Sequence, residues 1–119
     1  MFKISVESEF AAAHRIREYG GDCENLHGHN FKVILTASFA ELPPSGMCMD
    51  FRVLKKKLNG VLDKLDHQDI NRLEYFREVN PTSENIAKYI FDQVKETGVP
   101  VYEVTVFESD KYSASYTGD

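Results

Sequence analysis

At 119 residues the chain has the length of one domain, residues 1–119, able to bury a single hydrophobic core. Its 42% apolar and 28% charged residues exclude a low-complexity or collagen-like chain, and a formal net charge of −5 argues against non-specific binding of nucleic acid or an anionic membrane. Met1–Phe10, interrupted by Lys3, Glu7 and Glu9, lacks a signal-peptide run, no stretch approaches the roughly 20 apolar residues of a membrane span, and Cys23 and Cys48 alone make no disulfide framework, so a reducing cytoplasm is the expected address.

Phe2, Ile4, Val6 and Phe10 alternate with Lys3, Ser5, Glu7 and Glu9, which predicts a strand over residues 2–10 with one face buried. Residues 15–26, with Tyr19-Gly20-Gly21-Asp22, read as a turn-rich loop. From His29 the alternation resumes in Phe31, Val33, Leu35, Ala37 and Phe39, while Ile34 and Ala40 add apolar bulk to the opposite face. Antiparallel pairing of these two strands would gather His14, His27 and His29 at one end.

Pro43-Pro44-Ser45-Gly46 breaks the pattern, and Met47–Met49 reads as a short strand remnant. Asp50 is a candidate N-cap for a helix over 51–65, where Phe51, Leu54, Leu58, Val61, Leu62 and Leu65 fall at helical spacing. Asp66-His67-Gln68-Asp69 reads as loop, and residues 71–80 carry no decisive pattern. Thr82 or Ser83 can cap a second helix with Ile86, Ile90, Phe91 and Val94 on its apolar stripe, ended by Gly98 and Pro100. Tyr102, Val104 and Val106 form a third strand whose same-face series ends at Glu108, and residues 112–116 a fourth. The expected class is α+β, in the order ββααββ, with two helices across one face of an antiparallel sheet. Apolar side chains on both faces of the second strand call for a further cover, and a neighbouring subunit is the natural one.

His27 and His29, at i and i+2, point the same way from a strand, with Gly28 between them allowing close approach. An isolated His-x-His is compatible with a mere polar strand start, and a lone histidine such as His14 needs no functional reason. It is the meeting of both segments at one end of paired strands that points to a metal. Three neutral imidazoles suit a borderline ion such as Zn²⁺ and leave a fourth position for water or substrate. A closed structural site with Cys23 as the fourth ligand is the competing reading. As a reacting group Cys23 would need a lowered pKa or a proton acceptor. His67, oriented by Asp66, is the one histidine left for that, although neighbours in an extended chain point apart. Glu108 reads locally as a solvent-facing strand end. If buried it needs two donors, such as the adjacent N–H groups of a pterin or guanine edge. Arg15, Arg17, Lys32 and Lys111 are candidate phosphate partners, each equally readable as a surface cation, and Cys48 reads as a small core residue.

Taken together, Phe10-Ala11-Ala12-Ala13-His14, Cys23-x-x-x-His27-Gly28-His29-Asn30, Met49-Asp50-Phe51, Leu65-Asp66-His67, Pro81-Thr82-Ser83-Glu84-Asn85 and Val104-x-Val106-x-Glu108-Ser109 resemble the 6-pyruvoyl- and 6-carboxy-tetrahydropterin synthase family along nearly the whole chain. The resemblance implies the tunnelling fold, with subunit sheets joined into a barrel, a homohexamer of two stacked trimers, and active sites between subunits. It implies Zn²⁺ on His14, His27 and His29. It makes Cys23 the catalytic thiol, with Asp66 and His67 of another subunit moving protons, and Glu108 the anchor of the pterin ring, with Thr82, Ser83 and Glu84 nearby. The three-residue interval from Cys23 to His27 resembles the carboxy form, which converts 7,8-dihydroneopterin triphosphate to 6-carboxy-5,6,7,8-tetrahydropterin for queuosine and other 7-deazaguanines. Glu24 resembles the acidic residue of a related group that cleaves the same substrate to a 6-hydroxymethylpterin for folate synthesis. The pyruvoyl product and a zinc-stabilised binding module without enzymatic activity are the remaining alternatives.

Overall fold

The computed structural model describes residues 1–18 and 25–119. Strand β1 (Phe2–His14) and strand β2 (His27–Phe39) form a long hairpin, followed by helix α1 (Phe51–Leu62), helix α2 (Ser83–Glu96) and strands β3 (Val101–Ser109) and β4 (Tyr112–Tyr116). The sheet is antiparallel throughout in the order β1-β2-β3-β4. This is the expected ββααββ arrangement. No described helix is long and apolar enough to cross a membrane.

The period-2 pattern sorts the sheet into two faces. Phe10, Ala12, Phe31, Val33, Leu35, Ala37, Val104 and Val106 are buried on the helix side, against Leu54, Leu58, Val61 and Leu62 of α1 and Ile86, Ile90, Phe91 and Val94 of α2. Each fully buried leucine or phenylalanine contributes roughly 1.5–3 kcal/mol relative to exposure, so this layer is what holds the hairpin to the helices. The other face is mixed, with half-buried Ile34 and Phe107 among polar side chains. Ser5 and Thr36 share a 2.8 Å hydroxyl contact, and the ammoniums of Lys3 and Lys32 lie over the rings of Tyr102 and Phe107.

Both expected caps form. The Asp50 carboxylate accepts from the Arg52 N–H at 2.8 Å, and the Thr82 hydroxyl accepts from the Asn85 N–H at 3.1 Å, so Thr82 rather than Ser83 is the cap. Helix α1 ends at Leu62, three residues short of the expected limit, because the chain turns through Asp63–Asp66 to reach the sheet edge. Residues Ile70–Arg72 and Glu74–Phe76 form two single 3₁₀ turns. Met47–Met49 is not a strand, since the chain leaves Gly46 at φ 79° and bends toward the α1 cap, and Cys48 is only half-buried there rather than in the core. Ala40 lies past the end of β2 and is exposed.

β1 runs four residues further than its hydrophobic pattern, to His14, because its last residues are bonded on both sides. Ala12 pairs with His29 and His14 with His27 on the inner side. On the open edge, Ala13 N–H donates to the Gln68 carbonyl (2.9 Å), His67 N–H to the Ala11 carbonyl (2.6 Å) and Ala11 N–H to the Asp66 carboxylate (2.9 Å). The 66–69 segment is therefore a strap along the strand edge, satisfying backbone groups that would otherwise face solvent.

Candidate metal centre and its surroundings

The hairpin register places His14 directly opposite His27, and the strand period puts His29 on the same face. The result is a cluster at the open end of the core. The ring centroids of the three imidazoles lie 4.7–5.3 Å apart, and His14 and His29 rest edge-on against Phe31, whose ring gives the site an apolar floor. Glu108, two residues beyond Val106 on the inner face of β3, brings its carboxylate oxygen Oε1 to 3.0 Å from His14 Nε2 and 3.2 Å from His29 Nε2. The solvent-facing reading of Glu108 is corrected here. Its side chain is 36% exposed, at the mouth of the cluster rather than in open solvent.

Proton positions follow from the hydrogen bonds. His14 Nδ1–H donates to the Pro81 carbonyl at 2.7 Å, and His27 Nδ1–H donates to the Asn25 carbonyl at 2.7 Å. A neutral imidazole with its Nδ1 proton so committed offers a bare lone pair at Nε2. His14 is 1% exposed, and its Nε2, although close to Glu108 Oε1, has no hydrogen-bond partner among the described residues. A cation shared between this buried nitrogen and the carboxylate 3.0 Å away would satisfy both. The pKa of His29 is lowered, chiefly by burial and further by His14 and His27, against the opposing pull of Glu108, which keeps the ring in the neutral form that binds metals. His14, His27, His29 and Glu108 offer ligand atoms all within 4.8 Å of one another, so the group could hold a metal ion. Imidazole and carboxylate donors together suit a borderline divalent cation.

A profile described as 6-pyruvoyl tetrahydropterin synthase matches residues 3–119. The chain belongs to the 6-pyruvoyl tetrahydropterin synthase family. A 6-carboxy-5,6,7,8-tetrahydropterin synthase from Synechocystis is 37% identical over 98% of this chain and 93% of its own length. The solved 6-pyruvoyl tetrahydropterin synthase of Caenorhabditis elegans superposes with a TM-score of 0.90 at 31% identity, covering 99% of this chain and 96% of that one. A solved Plasmodium vivax 6-pyruvoyltetrahydropterin synthase, a catalytic residue mutant in which a glutamate is replaced by cysteine, superposes at 0.71 with 27% identity over 97% and 96% of the two chains. The fold is thus the tunnelling fold of this family of pterin synthases.

Within this 6-pyruvoyl tetrahydropterin synthase fold, the other residues expected at the site fall into three groups. Asp66 and His67 do pair, Oδ2 to Nδ1 at 2.9 Å, because His67 adopts the left-handed backbone region (φ 59°) that folds its ring back onto its neighbour. The Asp66 pKa is lowered, first by the Ala11 N–H and then by the His67 ring. His67 is 82% exposed and, with Ala11, Ala13, Gly28, His29 and Asp69, lines an open cleft of 530 Å³. Thr82 caps α2, Ser83 is half-buried and Glu84 is exposed in the first turn. Cys23 and Glu24 lie outside the described residues.

Sequence reasoning missed the residues that hold this end together. The Asn71 side-chain carbonyl accepts from Arg15 N–H and its amide donates to the Arg15 carbonyl. Asn80 does the same for Arg17. The Arg17 guanidinium donates to the Phe76 and Val79 carbonyls, and Asn85 donates to the Asn80 carbonyl. Arg17, taken as a phosphate candidate, is thereby committed to the backbone. The only available signal was three asparagines in or beside a stretch without periodicity, which ordinarily marks turns.

Proposed function

We propose that the chain is a zinc-dependent 6-carboxy-5,6,7,8-tetrahydropterin synthase, converting 7,8-dihydroneopterin triphosphate with release of acetaldehyde and triphosphate, on a route to queuosine and related 7-deazaguanines. The observation that carries the metal reading is the buried Nε2 of His14, without a hydrogen-bond partner among the described residues and grouped with the ligand atoms of His27, His29 and Glu108. The choice of branch is supported by the three-residue interval between Cys23 and His27 and by the Synechocystis relative.

Zn²⁺ at His14, His27 and His29 would supply Lewis acidity, lowering the pKa of substrate side-chain hydroxyls and polarising a developing carbonyl. Cys23 as thiolate and His67 as its partner move protons on and off the side-chain carbons, and Asp66 holds the His67 ring by accepting from Nδ1–H. Glu108 accepts from the paired N–H groups of the pterin edge, with Thr82, Ser83 and Glu84 flanking the pocket. Because His67 is exposed at the strand edge, a dyad donated to the neighbouring subunit of a cytoplasmic hexamer, its sheets closed into a barrel, fits this arrangement.

A second reading is favoured by the glutamate named as catalytic in the Plasmodium vivax protein: Glu24 could direct cleavage to 6-hydroxymethyl-dihydropterin. Product analysis with dihydroneopterin triphosphate separates the two. The carboxy product, lost in Cys23→Ala and kept in Glu24→Ala, is expected. Hydroxymethylpterin that depends on Glu24 alone would replace the primary reading.

A further inference from the structure

We infer that Asn80 is a positioning residue for the metal centre: held between Arg17 and Asn85, it aims the Pro81 carbonyl at His14 and so keeps the Nε2 lone pair of that imidazole free for the ion. This rests on the proposed metal reading and names what orients its most buried ligand.

The contacts start where β1 ends. Beyond His14 the chain leaves the sheet, and two asparagines take the place of a neighbouring strand. Asn71 serves Arg15, at an exposed position. Asn80 serves Arg17: its Oδ1 accepts from Arg17 N–H at 2.9 Å and its Nδ2 donates to the Arg17 carbonyl at 3.0 Å, both partly buried. The Arg17 guanidinium donates to the Phe76 carbonyl at 2.6 Å and the Val79 carbonyl at 2.9 Å, which ties the same residue to the stretch leading into Asn80. Asn80 is thereby fixed relative to the end of β1.

Its backbone passes that placement on. The Asn80 carbonyl accepts twice, from Thr82 N–H at 2.9 Å and from Asn85 Nδ2 at 2.9 Å. The first bond closes a three-residue turn centred on Pro81, a place that suits the fixed φ of proline. Thr82 N–H and the Pro81 carbonyl belong to one planar peptide unit, so a bond that holds the N–H also sets the direction of the carbonyl. That carbonyl accepts from His14 Nδ1–H at 2.7 Å, in the buried interior.

The aim matters because the hydrogen bond at one ring nitrogen decides the state of the other. A neutral His14 has one ring proton and two acceptors near it: the Pro81 carbonyl at Nδ1 and, 3.0 Å from Nε2, the Glu108 carboxylate. A carbonyl that swings away leaves the Nδ1 proton buried without an acceptor, and the proton is then better placed on Nε2 beside the carboxylate. There it blocks the lone pair that the ion requires.

Proton and metal can be read separately on the full chain. In the metal-free protein, at a pH where the rings are neutral, long-range ¹H–¹⁵N correlation spectra report which nitrogen of His14 is protonated, and chelator competition reports Zn²⁺ affinity. The wild type is expected to carry the proton on Nδ1. Asn80→Ala should shift His14 toward the Nε2–H form and lower Zn²⁺ affinity about tenfold, the low end of the loss produced by outer partners of a ligand. Asn71→Ala removes the equivalent clasp on Arg15 and should keep both wild-type readings. A folded Asn80→Ala with the wild-type tautomer and affinity would overturn the inference. So would an Asn71→Ala that loses as much, since that would mark a general loosening of the segment. If Asn80→Ala does not fold, Asn85→Ala, which removes the second tie on the same carbonyl and leaves Arg17 clasped, is read by the same criteria. A wild type that holds the proton on Nδ1 but binds no Zn²⁺ would overturn the metal reading and with it any role at the metal, an outcome distinct from the failure of either variant.

Discussion

His14 and Pro81, 67 residues apart in sequence, are joined by a 2.7 Å hydrogen bond from the imidazole Nδ1–H to the backbone carbonyl. The bond fixes both the tautomer and the aim of the most buried imidazole. Pro81 is itself held from both sides, since Asn85 donates to the Asn80 carbonyl and the Thr82 hydroxyl caps the following helix.

Thr82→Ala should therefore do two things. Loss of an N-cap hydroxyl lowers stability by about 1 kcal/mol, read by denaturant unfolding of the metal-free protein. Loosening the turn that aims the Pro81 carbonyl should also weaken metal binding, by about tenfold on the scale of other outer-shell partners. Asn71→Ala is the control: it frees Arg15 without touching residues 80–85, so its effect should be confined to stability.

Metal removal tests whether the cluster is a site on a fold or the reason for the fold. The core layer from Val33 and Leu35 to Leu58 and Ile90 is buried without any help from the histidines. Chelation, and the variant His27→Ala, should abolish turnover while far-ultraviolet circular dichroism keeps most of its helix and strand signal. Collapse of the signal on chelation would instead mark a structural ion, whose binding energy is folding energy.

Asp66 makes stability depend on pH in a defined direction. Its pKa is lowered from the ordinary 3.8, so below that value the unfolded chain takes up a proton before the folded one does. The contribution is complete above the unfolded value and is lost as pH falls through the folded one. Asp66→Asn, whose side-chain oxygen can still accept from Ala11 N–H, should show a shallower fall in melting temperature below about pH 4 than the wild type. Equal slopes would mean that the Asp66 charge is not linked to folding.

The histidine cluster was legible because it depends on two robust regularities, strand alternation and the antiparallel hairpin, which together aim His14, His27 and His29 at one point. Glu108 was on the correct face of β3 in the pattern, but whether a strand end meets solvent or a site depends on where ladders stop, and the slip after Phe107 has no sequence mark. The Asp66–His67 pair looked geometrically awkward for an extended chain. It forms through a positive φ at a histidine, a conformation that no local pattern announces for that residue type. Asn71 and Asn80 were invisible because their partners are backbone atoms more than fifty residues away. Met47–Met49 failed as a strand because two alternating methionines are too few to outweigh the bend after Gly46 and the pull of the Asp50 cap.

The strained backbone of His67 separates its structural from its chemical role. Asparagine tolerates the left-handed region better than other non-glycine residues, so His67→Asn keeps the φ of 59° without added strain and leaves the N–H that donates to the Ala11 carbonyl. It cannot shuttle protons near neutral pH. The variant should melt at or slightly above the wild-type temperature and bind the metal as the wild type does, since His67 is not among the grouped ligand atoms. Turnover should fall by about 10²–10⁴-fold, the usual contribution of a general acid or base, with KM little changed. Unaltered kcat in a folded, metal-loaded His67→Asn would remove the dyad from the reaction and leave it as an edge strap alone.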